Sequence, residues 1–344
     1  MHVTFRKIAK TTLALVYLVI VAGAFVRMTG SGMGCPDWPK CFGYYIPPTT
    51  AEELNWYPNK TFKKGQVIIV DETLQVAGSD FTTGTAFNEK NWEAYTKHDY
   101  AIFNPWHTWV EFINRLLGAL AGLATLVLAL ISLRFRKENL RIPLFCWLVV
   151  LGMGFQAWLG ATVVYSVLEP LKITLHMLMA LVIVALLLYV IFIANTEDKK
   201  IRYDRQFLVL SGVALALTVA QIVLGTQVRQ FVDEQVDLLG YGAKELWLQD
   251  PNLQFYVHRT FSIIVVLVNV YLFARVRNLD LGHLKMYWVL FLLAIEALSG
   301  IAMYYLHFPF GSQTLHLILA AILFGVQFYI VLDALKPQSA PKTS

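Results

Sequence analysis

A chain of 344 residues that is 57% hydrophobic and only 15% charged is far more apolar than a soluble domain, where about 45–50% apolar and ~25% charged is usual. This composition excludes an ordinary soluble enzyme and leaves no room for a soluble domain of normal size. The net charge of +5 sits at the ends of apolar stretches, which makes it a topology signal and excludes a nucleic-acid partner.

Crossing a ~30 Å hydrocarbon core takes about 20 apolar residues in a helix. Eight stretches qualify in chain order, at roughly 8–27, 109–133, 142–165, 171–194, 207–228, 256–277, 284–305 and 313–334. Arg6, Lys7 and Lys10 give the first the flank of a signal peptide. Its length, Arg27 at its end and the lack of a small-residue cleavage site predict a retained helix. A polar, turn-rich segment, 28–108, follows it. Its aromatics, among them Trp56, Tyr57, Trp92 and Tyr95, suit a cap over a site, a partner surface or simple packing equally well.

Lys and Arg near helix ends favour the cytoplasmic side. Arg134, Arg136, Lys137 and Arg141 mark one connection, Lys199, Lys200, Arg202 and Arg205 a second, and Arg275, Arg277 and Lys285 a third. These three and both termini are thus expected on the cytoplasmic face of an inner membrane, with segment 28–108 outside. Of three cysteines, Cys35 and Cys41 lie in that segment. An oxidising compartment favours a disulfide between them. The alternative is a redox-active or metal-binding pair, against which the spacing counts, being unlike the two-residue gap of metal knuckles. Cys146 falls inside an apolar stretch and reads as packing.

The long segment hides an internal repeat. Gly23-Ala-Phe-Val-Arg27 matches Gly225-Thr-Gln-Val-Arg229, and Phe112-Ile-Asn-Arg115 matches Tyr256-Val-His-Arg259. Gly160 precedes His176 by 16 residues, as Gly300 precedes His316, and Leu175-His-Met-Leu-Met-Ala180 matches Leu315-His-Leu-Ile-Leu-Ala320. The predicted fold is all-α: two pseudo-symmetric four-helix bundles, 1–195 and 196–344, whose cores are natural cofactor sites.

Ionisable side chains inside spanning helices are costly and mark function by default. His176, His258 and His316 lie near the outer ends of even-numbered helices, at one depth. One ligand from each of two facing helices does not suit zinc but does suit an axially ligated haem. Gly118, Gly160 and Gly300 would let a flat macrocycle approach the backbone. Arg27, Arg115, Arg229 and Arg259 match carboxylate geometry and are candidate partners for haem propionates, with interface snorkelling as the bland alternative. Glu111 has no counterpart in the second half, where Phe255 stands. This asymmetry suggests chemistry in the first half and a bound cofactor in the second; the alternative is a solvated first-turn acid. Glu296 aligns with Gln156 and is a weaker, structural candidate.

The segment Gly30-Ser-Gly-Met-Gly-Cys-Pro-Asp-Trp-Pro39 with Cys41, Glu111-Phe-Ile-Asn-Arg115, His176, Tyr256-Val-His-Arg259 and His316 together resemble the haem A synthase family over essentially the whole chain. The resemblance implies eight helices in two bundles. It also implies a haem b held by His258 and His316, haem O as substrate in the N-terminal half, and oxidation of one ring methyl to a formyl group, giving haem A for terminal oxidases. Glu111 would be catalytic, and a haem O synthase and an electron donor would be partners. One departure stands out. Asn114 occupies a position where the family has histidine, leaving His176 as the evident ligand of the substrate haem. That site is then either five-coordinate or degenerate, and His107, about 10 Å further out along the helix, is too far to substitute. A b-type electron-transfer cytochrome and a non-catalytic haem carrier or assembly factor are the alternatives.

Overall fold

The structure is a computed structural model, and it describes residues 2–195 and 201–335. Among them are eight helices long and apolar enough to cross a membrane. They are α1 (His2–Met28), α2 (Pro105–Ser132), α3 (Arg141–Tyr165), α4 (Pro170–Ile193), α5 (Arg205–Leu239), α6 (Leu253–Asn278), α7 (Lys285–Tyr305) and α8 (Ser312–Leu335). The protein is therefore an integral membrane protein of the all-α class, since in lipid a helix satisfies its own backbone groups. Lys199 and Lys200 lie outside the described residues.

Three of the spans start with a side-chain cap. Asn104 accepts from the Trp106 N–H (3.0 Å) ahead of Pro105 at the first position of α2. Asp204 accepts from the Phe207 N–H (2.6 Å) to cap α5, and Asn252 from the Phe255 N–H (3.1 Å) to cap α6. These caps satisfy first-turn N–H groups that have no partner within the helix.

Two boundaries differ from the sequence expectation: α1 begins at His2, ahead of the apolar run that starts at 8, and α5 runs on past its expected end. The apolar run in α5 stops near 228, yet the helix continues to Leu239. Pairs at i,i+4 spacing carry it on: Arg229 with Asp233 at 2.7 Å and Gln230 with Glu234 at 3.0 Å. Such pairs stabilise a helix surface, and Gly240, at a φ of 83° that side chains disfavour, then ends it.

The turns between α3 and α4 and between α7 and α8 share one geometry. Val167 and Leu168 have φ of 52° and 64°, and His307 and Phe308 have 52° and 55°. The Leu168 N–H donates to the Val163 carbonyl, and the Phe308 N–H to that of Met303, each at 3.0 Å. Left-handed backbone is costly for β-branched Val167. The repeated turn sets His176 and His316 at the same number of residues from it, the second turn of their helices.

The chain divides into two compact units. One contains 18–123 and 153–177; the other holds the described remainder, including α5–α8. In the latter, α5 lies against α6 and α8, and α7 against α6 and α8, closing a four-helix bundle. Its polar links include Gln327 donating to buried Asn269 (3.0 Å) and half-buried Lys285 paired with Asp333 (2.9 Å).

In the other unit, the segment after α1 folds into two small antiparallel sheets. Strands β1 (Thr61–Phe62) and β4 (Phe81–Thr82) form one. Strands β2 (Val67–Val70), β3 (Thr73–Ala77) and β5 (Trp92–Ala94) form the other, with β3 central. Asp71 and Glu72, at φ 45° and 57°, make the tight hairpin turn between β2 and β3, a conformation usually given to Asn-Gly. Trp92 packs edge-on against Phe62 (5.0 Å) and Phe81 (5.2 Å), and Trp56 lies near Phe87. These aromatics form the segment's own core.

Candidate functional site

Four helix pairs carry the same close contact. A methyl group added to Gly225 of α5 would lie 3.2 Å from Cε1 of His258 on α6, and one on Gly300 of α7 would lie 3.6 Å from Cε1 of His316 on α8. The other unit repeats this: Gly160 of α3 faces Cε1 of His176 on α4 at 3.3 Å, and Gly23 of α1 faces Oδ1 of Asn114 on α2 at 3.9 Å. At Gly225 and Gly160 the neighbouring imidazole leaves little room for a side chain, whereas the distances at Gly300 and Gly23 are those of ordinary contact.

A polar residue stands four positions before three of these glycines. Gln221 donates to the His258 carbonyl and Gln156 to the His176 carbonyl, each at 3.0 Å. Glu296 lies 3.3 Å from Nδ1 of His316, and Ser299 is 2.8 Å from the same nitrogen. Before Gly23 the residue is Val19. With Nδ1 of His316 engaged, Nε2 is the nitrogen free for a ligand bond.

The rings of His258 and His316 lie 6.4 Å apart, centre to centre, with planes at 70°. Two imidazoles on opposite sides of one metal, each with a nitrogen–metal distance of ~2.0–2.1 Å, stand roughly 6 Å apart. The pair is thus spaced as two imidazoles that share one metal ion would be. Among the described residues no cluster of three or more His, Cys, Asp or Glu is placed to hold a metal ion. Nδ1 of His258 and Nδ1 of His176 are buried without a protein partner.

Glu111 is not a solvated rim acid. It is 4% exposed on the second turn of α2. One carboxylate oxygen accepts from the Cys35 N–H at 2.8 Å, and the other is paired with Arg115 one turn on. Arg115 also donates to the carbonyls of Asp37 (2.7 Å), Lys40 (2.9 Å) and Cys35 (3.2 Å). Cys35 and Cys41 form a disulfide, and Arg115 and Glu111 clamp the loop it closes onto α2. Thr108 donates to the Gly34 carbonyl at 2.7 Å, and His107 sits 3.0 Å from the Gly30 carbonyl, so His107 holds the loop as well. From the other side, Tyr95 donates to the Pro36 carbonyl at 2.9 Å. Asp37, its carboxyl raised above the ordinary range by burial, accepts from the Phe42 and Gly43 N–H groups at 2.5 and 2.8 Å.

The remaining sequence candidates are placed as follows. Arg229 is paired with Asp233, Arg27 is half-buried in the last turn of α1, and Arg259 is exposed in the second turn of α6. Cys146 is buried and free of any disulfide. Sequence reading missed Gln221, Ser299 and Thr108. For Gln221 a signal existed in its place four residues before Gly225, matching Gln156 before Gly160.

The class this defines is a polytopic membrane protein with paired-imidazole positions beside helix glycines and a disulfide-closed loop fastened over a buried acid. The chain belongs to the COX15-CtaA family of cytochrome oxidase assembly proteins, whose model matches residues 6–87 and 75–328. Relatives named Heme A synthase are similar to it. The protein from Wolbachia pipientis is 23% identical over 353 aligned positions, covering 95% of this chain and 91% of its own length. That from Rickettsia prowazekii is 24% identical, covering 91% and 92%. The relative from Shewanella oneidensis is 26% identical over 219 positions, covering 63% of this chain and 54% of its own length.

Proposed function

We propose that this protein is a haem A synthase, an oxidoreductase that converts one ring methyl of haem O to a formyl group for use in terminal oxidases. The observation that carries the reading is the 6.4 Å approach of His258 and His316, with the same glycine register repeated around His176 and Asn114 in the other unit. In this reading 196–344 is the cofactor half, with haem b between His258 and His316, and 1–195 is the substrate half. When bound, haem b supplies one-electron transfer to or from the substrate half.

The chain's own residues then have distinct tasks. His176 binds the iron of haem O, and Gln156 fixes its backbone. Gln221 does the same for His258, and Ser299 and Glu296 orient the His316 ring. Glu111, held in one orientation by Cys35 and Arg115, is the catalytic residue, as general base or as the group that stabilises positive charge developing at the oxidised methyl carbon. Arg259, exposed on α6, is the readiest partner for a propionate, with Arg27, Arg115 and Arg229 the other candidates; Arg115 is engaged by the loop and Arg229 shares its charge with Asp233. Haem O arrives from a haem O synthase. Removing four electrons from the methyl needs an oxidant: dioxygen, with further electrons from a separate donor, or a separate electron acceptor, with water as the oxygen source. The basic connections support a topology with both termini in the cytoplasm and the haem sites toward the outer face of the inner membrane.

The test is expression with a haem O synthase followed by extraction and chromatography of bound pigments. Haem O and haem A beside haem b support the enzyme. Haem b alone supports a b-type cytochrome, and haem O without haem A supports a carrier. Glu111→Gln should retain bound haem O and lose haem A. Normal formyl-haem production by that variant would remove Glu111 from the chemistry.

A further inference from the structure

Of the four glycine-facing positions, the one on α2 departs in three ways at once. Its side chain is Asn114 and not histidine, Val19 takes the place of the polar residue four before the glycine, and the contact to the glycine is the loosest, at 3.9 Å against 3.2–3.6 Å. Gly23 is nevertheless retained. An asparagine at 3.9 Å does not need that glycine, since the distance is ordinary van der Waals contact. The width suited to a ring is thus preserved while the side chain filling it is shorter. Oδ1 of Asn114 is also buried with no protein partner, and a buried amide oxygen left unbonded is costly, so a ligand that bonds to it is favoured.

Resting on the reading above, we propose that haem O is held from one side only, by His176, and that Asn114 faces the open coordination position. There its amide serves as a hydrogen-bonding neighbour for a small neutral ligand. Asn114 corresponds to His258 in the repeat, and His258 approaches His316 closely enough for both to share one iron. From the same place on the helix, the asparagine amide ends one bond beyond Cγ, whereas the outer imidazole nitrogen lies across the ring. The amide therefore stops short of the iron and leaves room for a ligand, to which it can offer both a donor and an acceptor. In the cofactor half two imidazoles occupy both sides, and no such room exists.

The experiment uses the full chain purified after expression with a haem O synthase, with pigment content measured per chain. Carbon monoxide is the probe of the reduced protein, and electron paramagnetic resonance reports spin state in the oxidised one. Native protein should show one low-spin haem inert to carbon monoxide and one high-spin haem that binds it, one per chain. Asn114→His should convert the second to low spin and weaken carbon monoxide binding at least tenfold. Asn114→Ala should keep binding but shift the carbon–oxygen stretching frequency, because a polar neighbour is lost. Haem O present but low-spin and inert in native protein overturns the proposal, as does Asn114→His that still binds carbon monoxide like native. If no haem O is bound at all, the assignment of the substrate half falls, and this inference falls with it.

Discussion

Replacing Arg115 by methionine keeps the apolar stem of the side chain and deletes its charge. In the native protein the guanidinium serves the carbonyls of Cys35, Asp37 and Lys40 and pairs with Glu111. Without it, Glu111, 4% exposed, keeps the Cys35 N–H at 2.8 Å as its partner from the loop. Breaking a buried pair by removing one member costs about 3–5 kcal/mol, which is roughly two to nearly four orders of magnitude in an opening equilibrium. The loss should be local. The loop is fastened to the first turns of α2, whereas the links within α5–α8, such as Gln327 to Asn269, are untouched. Hydrogen exchange read by mass spectrometry on detergent-solubilised protein should therefore show residues 30–43 exchanging at least a hundredfold faster. Peptides from α5–α8 should stay at native rates. Arg115→Met combined with Glu111→Gln should recover part of the protection, because the lone buried charge is gone. Exchange of 30–43 within twofold of native in the single variant would refute the clamp.

Three further outcomes are expected. Cys35→Ser with Cys41→Ser should loosen the same loop by about 2–3 kcal/mol, the entropy of a short cross-linked loop, and so less than Arg115→Met in the same exchange measurement. Gly225→Val should abolish the haem spectrum assigned to His258 and His316, since even one methyl there meets the ring at 3.2 Å; Gly300→Ala, at 3.6 Å, should leave it near native. Asp204 is held below its ordinary value of 3.8 chiefly by the hydrogen bond from Arg275, with the Phe207 N–H adding to it. A depressed carboxylate stabilises the fold above that value and loses its contribution as pH falls through it. The melting-temperature difference between native protein and Asp204→Asn should therefore be present at pH 6 and shrink below pH 4. It should correspond to no more than about 1 kcal/mol for so accessible a pair.

Much of this was legible in the sequence because the bilayer imposes a one-dimensional rule. A helix in lipid must be long and apolar, so its place can be read from a run of residues, and the C-terminal ends of seven of the eight spans fall close to expectation. α5 is the exception, as helix continuation past Val228 depends on side-chain pairs and not on hydropathy. The β-structure in the segment after α1 was not legible, since its strands are two to five residues long and its hairpin turns on Asp71-Glu72 without the usual glycine.

The candidate site divides along the same line. The linear order of residues, with its repeated spacing of glycine, arginine and histidine, singled out His176, His258 and His316 and marked Asn114 as the odd member. It also showed Glu111 to be asymmetric. Only the folded chain could decide what Glu111 and Arg115 touch, because their partners are backbone atoms 75–80 residues away, and backbone groups leave no mark in a sequence. The same holds for the 6.4 Å between His258 and His316, which depends on how α6 and α8 face one another across the bundle. Periodicity along one helix gives direction, but distance between two is a property of their packing.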